Sequence, residues 1–388
     1  MVIYYVALFV LAAFGILAEQ KQKSALYLSF SFLLLVFVAS FRYAIGFDYF
    51  SYLNIYETTS LWSFKDIFQF RFTEPLFFVV CKLCSLAGCS YPVFLVFLNL
   101  FLIGVPMWFI RRYSRLPWVS VYLFICLQFL AHDMNLLRQS IAVCFFLLAY
   151  PYLKNRKLLP FTLLILAGGL FHNSLFFIFP LYFLLPQKLS RKCLAALLFL
   201  TAGIYFFFDP LFLIIYPFLP AKYTKYMGSY YWTPNSFFYL ALPTLYCLLI
   251  YLFRKRIADP CQRTIYLNCA LYNCLINLFI TKHFILERFA VYPFIIVLTA
   301  IPEIIDSCRM QDRNFTAPQR AACSRSADWR NFLRKKKENG GKPILTYHRT
   351  LLLFLAYGMV YFIFAAAQGY HYVYPYVSLL DQSFSTPN

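Results

Sequence analysis

Apolar stretches of near membrane-spanning length recur from one end of this chain to the other, at 2–18, 24–41, 75–88, 93–110, 118–131, 136–153, 158–171, 173–186, 193–208, 236–253, 264–281, 284–302 and 350–367. No other feature restricts the fold as strongly. A backbone facing lipid has no water to satisfy its N–H and C=O groups, so each run must close its hydrogen bonds internally as a helix. The expected fold is all-α: a polytopic integral membrane protein with about 12–13 hydrophobic helices. Several runs fall short of the ~20 residues that span a bilayer. Those are expected as half-helices or as segments shielded by neighbours.

Composition agrees, with 62% hydrophobic and 13% charged residues. A formal charge of +20 would suggest nucleic acid in a soluble protein, but here it sits in loops and reports orientation, so no nucleic-acid partner is expected. The first run follows Met1 without a basic leader segment or a small-residue cleavage site and reads as a retained helix. The 12 cysteines are scattered through apolar runs as small buried hydrophobes. Cys81 and Cys84 form a CxxC, but no second pair stands at zinc-ligand spacing. No metal and no cofactor is expected.

The basic segments "RRYSR" (111–115), "KNRK" (154–157), "QKLSRK" (187–192), "RKR" (254–256) and 306–349 fall on one side, the cytoplasmic one by the positive-inside rule. The Asn314-Phe-Thr316 glycosylation match lies on that side and is discounted. Three regions follow: a membrane-embedded catalytic bundle over 1–305, a basic cytoplasmic loop over 306–349, and a final transmembrane helix with an outer tail over 350–388. The opposite face then gathers His132, Asp133, Arg138, His172, Asp209, Glu287 and Arg288. The N-terminal third fits less cleanly. It is reconciled either by a re-entrant or incomplete segment at 75–88, interrupted by Lys82, or by a cytoplasmic N-terminus.

Several residues need a reason to be where they are. "FRYAIGFDYFSYLNIYE" (41–57) places Arg42, Asp48, Tyr43, Tyr49, Tyr52 and Tyr56 at the membrane boundary, the last three at helical spacing. An interfacial aromatic belt accounts for the tyrosines, whereas Gly46 offers a bend that presents Arg42 with Asp48. Asn135, Arg138 and Gln139 follow at i, i+3 and i+4 on one face near the start of an apolar helix. An arginine there must face protein, water or an anion, or snorkel to the headgroups. His172 follows the small residues of "AGG" (167–169). It is either a hydrogen-bonded structural histidine or a group that titrates near neutrality and takes a proton from a hydroxyl. Arg288 stands one helical turn before Tyr292, and Glu74 opens the third run as a second acid or base or as an N-terminal helix charge. Arginine makes paired hydrogen bonds to phosphate and stays charged, so three of them suit an anionic, membrane-bound substrate. No phosphate-loop, DxD or HExxH signature is present, which leaves an already activated donor such as a polyprenyl diphosphate sugar.

In order, "FRYAIGFDYFSYLNIYE", "EPLF" (74–77), "NLLRQSIA" (135–142), "AGGLFHNSLFFIFPLYF" (167–183) and "ERFAVYPF" (287–294) resemble the landmarks of the EpsG family, akin to the Wzy O-antigen and capsule polymerases. The resemblance covers roughly 1–305. It implies a metal-independent glycosyltransferase with a GT-C-like helical fold in the bacterial cytoplasmic (inner) membrane. Such an enzyme joins undecaprenyl diphosphate-linked oligosaccharide repeat units into capsular, surface or exopolysaccharide at the outer face, with a chain-length regulator and a flippase as further partners. Carried onto this chain, Arg42, Arg138 and Arg288 would bind diphosphate. Residue chemistry and topology, rather than the resemblance, make His172 the leading general base, with Asp48 or Glu74 as alternatives. Tyr49, Tyr52 and the loop 223–232 would either stack on sugars or serve as interfacial anchors, beside Asn135 and Gln139 as glycan-binding side chains. A lipid-linked glycan flippase or exporter and a membrane O-acyltransferase are the competing readings.

Overall fold

The computed structural model describes residues 2–70, 74–218, 232–234, 237–309, 347–374 and 376–379. Helices account for nearly all of its regular structure, and no strand forms among the described residues beyond one isolated bridge between Arg42 and Ser378. The helices are α1 (Val2–Gln20), α2 (Ser24–Ser40), α3 (Tyr49–Leu61), α4 (Phe64–Phe70), α5 (Pro75–Leu86), α6 (Tyr91–Tyr113), α7 (Pro117–Cys126), α8 (Phe129–Asn135), α9 (Leu137–Lys154) and α10 (Leu158–Gly169). After a 3-10 turn at Asn173–Ile178 come α11 (Leu181–Leu184), α12 (Arg191–Phe206), α13 (Phe208–Ile215), α14 (Phe238–Phe253), α15 (Pro260–Ile280), α16 (Glu287–Phe294), α17 (Val297–Arg309) and α18 (Tyr347–Ala367).

The apolar runs are helical as expected, but fewer of the described helices are long and apolar enough to cross a membrane alone than the number of runs suggests. Among the described residues α1, α6 and α18 are long and apolar enough to cross a membrane alone. Two bent pairs, α12 with α13 at 73° and Phe284–Phe294 with α17 at 45°, would raise the total to five. The run 118–131 divides into α7 and α8 where Gln128 adopts a left-handed φ of 67°. The run 284–302 bends by 45° between Phe294 and Val297, just past Pro293. The 12-residue α5 is about 18 Å long, too short to cross a hydrocarbon core of about 30 Å. Broken helices carry polar backbone that lipid cannot satisfy, so they belong where protein or a cavity surrounds them.

Burial separates an inner from an outer layer. All of α7 from Trp118 onward is buried, and α9 buries most of its length, packed between α6 and α10. In α12, by contrast, Thr201 is the single buried residue, while Phe199 is 83% and Phe206 74% exposed, an outward apolar surface that suits lipid and would be a liability in water. Arg138 and Lys154 lie sixteen positions apart at the two ends of α9, about 24 Å along the helix. The basic segment 154–157 is therefore at the far end of the bundle from Arg138. There Lys154 pairs with Asp259 at 2.9 Å, while Arg309 pairs with Glu19 and Asp306. Most of the basic loop at 306–349, with Asn314, and of the tyrosine-rich loop at 223–232 lies outside the described residues.

Candidate functional site

Glu74 is the hub. Its residue caps α5 ahead of Pro75, and three donors converge on its carboxylate: Arg138 Nη1 on Oε2 at 3.0 Å, His172 Nδ1 on Oε1 at 3.1 Å and the Asn173 backbone N–H on Oε1 at 2.9 Å. The local backbone brings them together. The N–H of Leu76 donates to the carbonyl of Leu170, lacing the start of α5 to the turn after α10. Gly168 lets α10 approach α9 closely, since a Cβ there would lie 2.5 Å from the Phe145 Cβ. The Ser174 hydroxyl and the Tyr292 hydroxyl are 2.7 Å apart, which pins the His172 segment to the helix that carries Arg288.

Charge follows from this geometry. Burial by itself would raise the Glu74 carboxyl, but the hydrogen bond from His172 and the charge of Arg138 outweigh it and hold it down at about 2. Burial pushes the His172 imidazole below its ordinary value, against an upward pull from Glu74. The contact thus has the length of an ion pair but joins a carboxylate to a neutral imidazole. Its proton must sit on Nδ1 to reach Glu74, which leaves Nε2 as a bare lone pair that no described residue engages. Burial also raises the Asp48 carboxyl, opposed by Arg138 and Arg288, and the same two arginines act on His172. Arg138, Arg288, His172, Asp48 and Glu74 therefore lie within electrostatic reach of one another.

Beside this network opens a cavity of about 550 Å³. Asp48, Asn135, Gln139 and Arg288 line it, whereas Glu74, Arg138 and His172 do not. The expected single face of Asn135, Arg138 and Gln139 is split, because α8 ends at Asn135 and α9 restarts after Leu136 (φ −101°, ψ 60°). Asn135 accepts the backbone N–H of Asp48 at 3.0 Å, and Gln139 donates to the Arg288 carbonyl at 2.7 Å. Gly46, at φ 96°, makes the bend that the sequence suggested, with Asn135 Oδ1 3.2 Å from where its Cβ would be.

Three expected site residues are placed elsewhere. Arg42 is 1% exposed, donates to the Ala39 carbonyl and lies beneath tyrosines, so it presents no fork to a diphosphate. Tyr49 and Tyr52 are buried too: Tyr49 meets Tyr91 edge-on, Tyr52 meets Phe77 likewise, and the Tyr52 hydroxyl accepts the Arg138 N–H at 3.4 Å. Neither ring has a face open for a sugar. Sequence reasoning missed the aromatic pair that is exposed at the cavity, Phe47 and Tyr372, with ring centroids 5.6 Å apart. It also missed His371, which lines the cavity from the far end of the chain. Asp209, expected on this face, pairs with Lys282 and His283 at 2.9 Å each.

An all-α bundle with lipid-suited outer helices, holding a buried carboxylate–histidine–arginine network beside a cavity, defines a polytopic membrane protein. The chain belongs to the EpsG family, whose match runs over residues 25–316 and whose members are Wzy-like polymerase-type membrane proteins. No curated relative and no solved structure matches it. By family it is a polysaccharide polymerase-like membrane protein.

Proposed function

We propose that this protein is a glycosyltransferase that joins undecaprenyl diphosphate-linked oligosaccharide repeat units into a polysaccharide at the outer face of the bacterial cytoplasmic membrane, on a GT-C-like arrangement of helices. The observation that carries this reading is the Glu74–His172–Arg138 network. Glu74 fixes the His172 tautomer, so that Nε2 takes the proton from an acceptor hydroxyl as its oxygen bonds to the anomeric carbon of the donor. The bond from that carbon to the diphosphate breaks, and its electron pair leaves with the lipid diphosphate. Arg138 and Arg288 neutralise the growing charge. A transport path for the same lipid would need arginines but no base held in one tautomer.

The test is the gel profile of lipid-linked and surface glycan from cells lacking the protein, complemented with wild type, His172→Ala or Arg138→Ala. Single repeat units at the outer face with no ladder are expected for the deletion and both variants. Removing one charge-stabilising donor lowers turnover by about 10²–10³-fold. Repeat units trapped on the inner face would replace this reading with transport, and a normal ladder lacking acyl groups would replace it with acyl transfer.

A further inference from the structure

The segment after α18 folds back on the start of the chain. The backbone N–H of Gly46 donates to the Tyr372 carbonyl at 3.0 Å, and that of Phe47 to the His371 carbonyl at 3.3 Å. Tyr43 and Leu379 extend this pairing through bonds to Val377 and Phe41. Gly369, His371 and Tyr372 all have left-handed φ, at 64°, 60° and 53°. That backbone is unfavourable for the two non-glycine residues, and it persists because the pairing with 46–47 holds it. The result is to set the His371 ring against His132, edge-on with centroids 5.6 Å apart, at the wall of the cavity.

Hydrogen bonding assigns the tautomer of each ring. Asn135 Oδ1 is taken by the Asp48 N–H, so the Asn135 amide nitrogen faces His371 Nδ1, at 3.2 Å, as a donor. His371 Nδ1 is then the acceptor, and its proton is on Nε2. The Ser140 hydroxyl reaches the His132 carbonyl at 3.3 Å, so its oxygen accepts from His132 Nδ1 at 2.9 Å. His132 Nε2 is left as a buried lone pair, and among the described residues it has no partner. One histidine offers a donor and the other an acceptor, side by side, with the Asp133 carboxylate 3.8 Å from His132 Nδ1 on the side away from the lone pair. Phe47 and Tyr372, both largely exposed, put an aromatic edge on the same cavity.

We propose that His132, His371, Phe47 and Tyr372 form a subsite for a neutral sugar residue, with the two imidazoles bonding adjacent hydroxyls and the aromatic pair packing on the ring's apolar face. A sugar hydroxyl both donates and accepts, which matches this pair, and a phosphate has no proton for His132 Nε2 when fully ionised. The subsite shares the cavity with Arg288 but uses none of the arginines, and it draws on residues 371 and 372, beyond the family match at 25–316. It deepens the glycosyl-transfer reading by placing a glycan unit in this cavity, and it rests on that reading for its role.

The experiment is saturation-transfer NMR on the full-length protein in lipid nanodiscs, with methyl glucoside, galactoside and mannoside as probes. At least one is expected to take up saturation, undiminished by inorganic pyrophosphate. Tyr372→Ala changes an exposed side chain and leaves the fold intact; together with His371→Ala it should cut the signal about fivefold or more, the effect of losing one aromatic face or one bond. No signal from any of the three glycosides, or a signal that both variants leave unchanged, overturns the subsite. Saturation that depends on Tyr372, with a ladder that persists in cells lacking the protein, would sink the polymerase reading and keep the subsite. A ladder that needs His172, with no such saturation, would do the reverse.

Discussion

Two clusters in this molecule use the same three kinds of side chain and end in different chemical states. Around Glu74, with His172 and Arg138, the carboxylate is 17% exposed and receives three hydrogen bonds, and one histidine nitrogen remains open. Around Asp209, with His283 and Lys282, the carboxylate is 54% exposed, and both histidine nitrogens are engaged: Nε2 faces Asp209 at 2.9 Å and Nδ1 faces the Trp232 carbonyl at 3.0 Å. Both ring nitrogens of His283 thus face oxygen partners, and the Trp232 ring, stacked at 4.0 Å, covers it further. A carboxylate, a histidine and a cation do not make a base. The open nitrogen does, and the backbone decides which histidine keeps one.

The largest test of that contrast is His172→Gln, which preserves a polar side chain but removes the imidazole. Polymer formation in membranes supplied with lipid-linked repeat units should fall by about 10²–10⁴-fold, the usual contribution of a positioned proton acceptor. A change of less than about tenfold would remove His172 from the chemistry. Glu74→Gln should cost less, about tenfold, and should show in the pH profile. For wild type the neutral imidazole does the work, and burial has lowered its pKa, so activity should hold through neutrality and fall only below about 6.5. Glu74 pulls that pKa upward, so the glutamine variant should move the acid limb to lower pH while lowering the plateau. A limb that stays in place would mean that His172 is not the titrating group. His283→Gln should change turnover by less than about twofold, yet lower thermal stability through the buried bonds it loses, each worth about 1–3 kcal/mol when a partner is left unmet.

The N-terminal and C-terminal parts of the site differ in how far a sequence displays them. Arg138, His172, Glu74, Asp48 and Arg288 stood out because each is a charged or titratable residue at the edge of an apolar run, where lipid makes such a residue expensive. Arg42 stood out for the same reason, but it is buried among tyrosines and donates to the Ala39 carbonyl. The helical spacing of Tyr49, Tyr52 and Tyr56 showed that one face of α3 is aromatic, but not that the face turns inward against Tyr91 and Phe77. His371 and Tyr372 gave no local signal at all. They matter through pairing with residues 46–47, more than three hundred positions away, and no periodicity encodes such a contact.

What the sequence by itself determined was the helical, membrane-embedded class. That follows from the rule that backbone in lipid must bond to itself, and it needs only the lengths of the apolar runs. It also set apart the two ends of α9, because sixteen helical positions lie between an arginine in the first turn and a basic loop after the last. Which runs are whole spans, which break at Gln128 or past Pro293, and which of the polar residues meet were decided only by tertiary structure. The reason is physical: a helix is closed by bonds between residues four apart, whereas the network at Glu74 joins positions 74, 138 and 172 on three separate segments, and only packing can bring those together.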